Sequence, residues 1–99
     1  MGERREYNLA LILNKRYFKL LVIDSHYEKK HSDINDKLIL QLVEQLNGIN
    51  IEPVDESGGF KYFAYEMRWK SKKYRLVLTY CDEDFLGVVN VFRVKEKKL

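Results

Sequence analysis

One stretch of this chain repeats its apolar residues at helical spacing, and that stretch limits the fold more than any other feature. Ile34, Leu38, Ile39, Leu42, Val43 and Leu46 recur at three- and four-residue intervals, while Lys37, Gln41, Glu44 and Gln45 fall on the other side. Asp33 is placed to cap the first N–H groups, and the carboxylate of Asp36 suits the positive end of the helix dipole. Asn47-Gly48 supplies a left-handed stop. A helix amphipathic on one stripe must bury that stripe against something, and the rest of the chain offers strands. Replacing Leu42 by Ala is expected to cost about 2–5 kcal/mol if the residue is buried as the pattern implies.

Leu9–Leu13 and Tyr17–Ile23 are two apolar runs separated by Asn14-Lys15-Arg16. Asn tolerates positive φ, so the pair reads as a tight hairpin. Both runs are apolar on both faces, which suits strands covered on each side or packed against a neighbour. Beyond a loop with Pro53 and Ser57-Gly58-Gly59, three further strands are expected at Phe60–Trp69, Tyr74–Tyr80 and Leu86–Val94. Their turns are Ser71-Lys72-Lys73 and Asp82-Glu83-Asp84. The order is ββ-α-βββ: an α+β fold with an antiparallel sheet of about five strands and one main helix on one face. Residues 1–99 form a single domain. The second face of the sheet carries several aromatic residues, so it is either half-covered by the N-terminal hairpin or used for binding.

Cys81 has no intramolecular partner, so no internal disulfide contributes, in keeping with a reducing compartment. No apolar run reaches the roughly 18–20 residues of a membrane span. No apolar segment follows the charged N-terminus, so no secretory signal is visible and a cytoplasmic location is expected. The net charge of +3 is mildly basic and unevenly spread. Arg68, Lys70, Lys72, Lys73 and Arg75 cluster near the centre, and Asp82, Glu83 and Asp84 share a turn.

The chemically loaded stretch is Asp24-Ser25-His26-Tyr27-Glu28-Lys29-Lys30-His31, at the entrance to the helix. In helical geometry His26 and Lys30 share one face, and Tyr27 and His31 an adjacent one. Cleavage of RNA by its own 2′-hydroxyl needs a base, an acid for the leaving oxygen and a cation near the phosphate, with no metal and no cofactor. Histidine titrates near neutrality and Lys or Arg stabilises developing charge, so these residue types suit that chemistry. A connector between strand and helix is polar in any case, so the same residues also fit a solvated loop. A metal site from Asp24, His26 and His31 matches no known ligand spacing. Cys81, beside acids that raise a thiol pKa, fits an ordinary strand end.

Arg68, Arg75 and Arg93 sit in the strands, and alternation permits them a common face with Tyr62. Arginines interleaved with aromatic rings fit phosphate contact and base stacking; pairing with Glu66 on a solvated face is the competing reading.

Taken in order, "HYEKKH", the helix "DINDKLILQLVEQLNG", and the strands "GFKYFAYEM", "KKYRLVLTY" and "LGVVNVFRVK" resemble small ribonuclease toxins of the RelE and colicin D kind over residues 24–95. The resemblance implies a metal-independent endoribonuclease, without cofactor, with a small antitoxin protein as partner. It implies catalytic roles for His26, Lys30, His31, Arg75 and Arg93, and RNA contacts from Arg68, Tyr62, Tyr80, Lys72 and Lys73. The chain departs from the pattern by opening with a full hairpin and by its weaker basic charge. The alternative is a non-catalytic protein- or RNA-binding module that pairs with a second copy through a sheet edge or an aromatic face.

Overall fold

The computed structural model describes residues 4–24, 34–83 and 85–95. Strands β1 (Arg4–Leu13) and β2 (Arg16–Asp24) form the N-terminal hairpin, followed by helix α1 (Asp36–Glu44). Then come β3 (Asp55–Ser57), β4 (Phe60–Trp69), β5 (Lys72–Tyr80) and β6 (Phe85–Arg93). They make one six-stranded sheet in the order β1-β2-β6-β5-β4-β3. The α+β class, the helix and the five long strands agree with the sequence reading. Two points correct it. A short β3 pairs with the start of β4, and the sheet is mixed, because β2 and β6 run parallel, Ile23 opposite Val88.

The parallel pair follows from where the hairpin goes. Instead of folding over a face, it extends the sheet in plane, with β2 docked beside β6. β2 is therefore an interior strand: Phe18, Leu21 and Ile23 join the core, and Val22 is buried outside it. The outer strand β1 is shielded at its far end by the turn after the helix. Ile12 N–H donates to the Asn47 side chain, Gly48 N–H to Ile12 C=O, and Asn14 N–H to Ile49 C=O.

The core lies between the helix and one face of the sheet. Ile34, Ile39, Leu42, Val43 and Leu46 pack on Leu11, Leu13, Phe18, Leu21, Ile23, Phe63, Leu76, Leu78, Leu86 and Val91. The helix cap is Asn35, two residues later than expected; its side-chain oxygen accepts from Leu38 N–H at 2.9 Å. Asp33, named as the cap from the sequence, lies outside the described residues.

Among the described residues, two of the three two-residue hairpins use left-handed residues that are not glycine: Asn14 and Lys15 (φ 55° and 64°), and Lys70 and Ser71 (φ 51° and 70°); the β3–β4 turn uses Gly58 and Gly59. Positive φ at both central positions matches the twist of the flanking strands. The β4–β5 turn is thus Lys70-Ser71, and Lys72 and Lys73 belong to β5, which corrects the turn read at 71–73.

Candidate functional site

Across β4 and β5, Arg68 opposes Lys73, Glu66 opposes Arg75 and Tyr62 opposes Thr79. These pairs alternate with the core pairs Phe63–Leu78 and Met67–Tyr74, so Arg68, Arg75 and Tyr62 lie on the sheet face away from the helix. Glu66 divides its carboxylate between Lys73 (3.3 Å) and Arg75 (3.8 Å), all three at least one-third exposed. Cross-strand pairing on a solvated face therefore describes this group directly.

Arg93 does not join them. It stands opposite Tyr74, which is buried in the core, and so projects on the helix side. The cause is one extra residue in β6: Leu78 pairs with Val88 and Val77 with Asn90, leaving Val89 unmatched. In an uninterrupted strand with Val88 inward, Arg93 would fall on the face of Arg75. The bulge lets Val88 and Val91, three apart, both reach the core, and it carries Arg93 across with them. The common face permitted by simple alternation is thus lost, and Arg75 and Arg93 cannot serve one phosphate on one face.

Tyr80, read as an RNA contact, is a core residue. Its ring stacks on Phe63 (5.0 Å between centroids, 21° between planes), lies against Phe18, and carries the Arg16 guanidinium 5.4 Å from its centroid. Its hydroxyl accepts from the Asn14 side chain at 3.2 Å. His26, Lys30 and His31, and with them the Asp24 side chain of the metal reading, lie outside the described residues. Among the described residues no group of three or more His, Cys, Asp and Glu is gathered as metal ligands would be.

The ends of the undescribed segment are well placed in the fold. The chain leaves β2 at Asp24, next after the Ile23–Val88 pair, while β6 runs on to Arg93, roughly 15 Å further at a strand's rise per residue. It re-enters at Ile34, buried in the core, and at Asp36 the helix is tied back to β1. Arg5 Nη2 donates to Asp36 Oδ1 at 2.9 Å, Arg5 Nε donates to Oδ2 at 2.5 Å, and the Tyr7 hydroxyl donates to Oδ2. That hydrogen bond, then burial, then the Asp36 charge raise the Tyr7 pKa, with Arg5 opposing.

At the same end and on the same side, a cleft of about 200 Å³ opens between the helix and the β4–β5 turn, lined by Leu38, Gln41, Trp69, Lys70, Lys72 and Tyr74. The Lys70 ammonium sits 5.8 Å from the centroid of the Trp69 ring. Lys72 is the one expected RNA contact that lines this cleft; the sequence marks Lys70 only as part of the basic cluster and gives Trp69 and Gln41 no functional reading. The available signal was the lone tryptophan beside a lysine in a turn, but only the register shows that it faces the helix.

Comparison with protein-family models, with curated proteins and with solved structures finds no match in any of the three.

Proposed function

We propose that this domain is a metal-independent endoribonuclease of the toxin type, with its site on the helix side of the sheet, where β2 ends and α1 begins. The observation that carries this reading is a shared location. Both anchors of the segment bearing His26, Lys30 and His31 lie at the end of the sheet that also carries Arg93, Lys72, Tyr74 and the Trp69 cleft. Residues 25–33, at up to about 3.3–3.6 Å each, are long enough to span the distance from Asp24 to Arg93. On this reading His26 and His31 exchange protons with the 2′-hydroxyl and the leaving 5′-oxygen. Lys30, Lys72 and Arg93 stabilise the charge on the phosphate. Arg75, on the opposite face beside Glu66, is left out of the catalytic set. The resemblance of residues 24–95 to ribonuclease toxins points the same way and supplies a small antitoxin as the expected partner.

The test is incubation of the purified protein with total RNA and with translating ribosomes in the presence of a chelator. Cleavage by the wild type, lost in His26→Ala and His31→Ala and reduced in Arg93→Ala, is expected. Intact RNA in both settings sinks the reading.

A second reading has its own observation. The in-plane hairpin leaves the sheet face away from the helix uncovered by any described element, with Ile12 and Tyr17, cross-strand partners, 47% and 55% exposed. A non-catalytic module would dock a protein or a second copy there. It predicts a mass that rises with concentration in light scattering, and unchanged binding in the histidine variants.

A further inference from the structure

The cleft between α1 and the β4–β5 turn has a chemistry of its own. Trp69 offers aromatic surface beside the almost fully buried Tyr74, and Leu38 closes the helix side with an apolar chain. Gln41 brings an amide, which both donates and accepts, as the edges of nucleobases do. Lys70 and Lys72 add two ammonium groups to the lining, and among the described residues no acid lines the cleft. Its volume, about 200 Å³, is below that of typical drug-sized pockets and suits one flat ring system with a phosphate at its mouth.

The turn beside it contributes a cation. Lys70 and Ser71 hold the left-handed backbone that a two-residue hairpin requires. That backbone directs Lys70 toward the Trp69 ring.

We infer that this cleft binds a single nucleotide of an RNA chain, the base against Trp69 with its edge on the Gln41 amide, and the phosphate on Lys70 and Lys72. The inference rests on the proposed action on RNA and names the subsite that holds one nucleotide beside the scissile bond. An aromatic platform tolerates any base, so preference among bases comes from polar contacts at the base edge, the Gln41 amide among them, and is modest.

Trp69 is the only tryptophan in the chain, so its fluorescence reports on the cleft alone. The full chain would be titrated with the four ribonucleoside 5′-monophosphates, with ribose 5-phosphate and with inorganic phosphate. Saturable quenching by the nucleotides, absent with the two base-free compounds, is expected. Lys72→Ala should raise the half-saturation concentration roughly three- to tenfold, as loss of one charge-assisted contact implies, and Gln41→Ala should narrow the differences between bases. Both positions are on the surface of their elements, and circular dichroism verifies that each variant keeps the fold. No response at millimolar nucleotide overturns the inference, and so does equal quenching by inorganic phosphate or an unchanged response in both variants. RNA cleavage without a Trp69 response removes the subsite and leaves the nuclease; a response without cleavage does the reverse.

Discussion

Asp36 is the residue on which most of the local order at the helix entrance depends. Its carboxylate accepts from two of the Arg5 guanidinium nitrogens and from the Tyr7 hydroxyl, with side chains only 18% and 27% exposed for Asp36 and Arg5. Removing it leaves a half-buried cation and a phenol without their acceptor. Asp36→Ala should therefore lower stability by about 2 kcal/mol in urea unfolding, more than expected for loss of a helix-dipole contact alone. The same cluster has a pH signature. A pKa raised in the folded state means the native protein holds the Tyr7 proton more tightly than the unfolded chain. The contribution is complete below the unfolded value of 10.0 and is lost as pH rises through the folded one. Unfolding followed into the alkaline range should show a steeper loss in the wild type than in Tyr7→Phe. Tyr80, by contrast, is a packing residue. Tyr80→Phe keeps the stack on Phe63 and should leave RNA binding unchanged, losing only the bond from Asn14.

At the scale of elements, the helix and the turns behave differently. α1 is specified locally by its spacing and its Asn35 cap, and its buried stripe matches the expected residues at Ile34, Ile39, Leu42, Val43 and Leu46. Leu42→Ala should cost about 2–5 kcal/mol by chemical unfolding, the spread set by how far the helix settles into the space. Ser71-Lys72-Lys73 reads as a turn because it is polar throughout, whereas the actual two-residue turn at Lys70-Ser71 needs positive φ, which lysine and serine do not advertise. Exchanging Lys70-Ser71 for Asn-Gly relieves left-handed strain and returns some of it as unfolded-chain entropy. The net gain should be about 0.5–1 kcal/mol in thermal unfolding. The same exchange should weaken nucleotide quenching of Trp69, because it removes Lys70 from the lining.

For the whole molecule, the decisive fact is that the hairpin lies in the sheet and not over it. One face is closed by the helix, and the other is left uncovered by the described elements. On that face Ile12→Lys with Tyr17→Lys should be nearly neutral for folding of a monomer, because both side chains are about half exposed. If the face joins two copies, the double variant should abolish any rise of mass with concentration in light scattering. A mass that never exceeds that of one chain in the wild type would leave no homodimer to explain.

What the sequence determined by itself is local. The helix spacing, the apolar runs at Leu9–Leu13 and Tyr17–Ile23, and the alternation in Tyr74–Tyr80 fixed the elements and most of the core, because side-chain periodicity is a property of neighbours in the chain. It also marked residues 26–31 as unusual in composition, which the described residues leave as it stood. Tertiary structure alone decided the pairing of β2 with β6, the faces of the arginines and the existence of the Trp69 cleft. Strand register is set by long-range packing, and one unmatched residue at Val89 reverses which face every residue beyond it presents. That inversion parts Arg93 from Arg75 and puts it on the side where the helix, Lys72 and Trp69 meet.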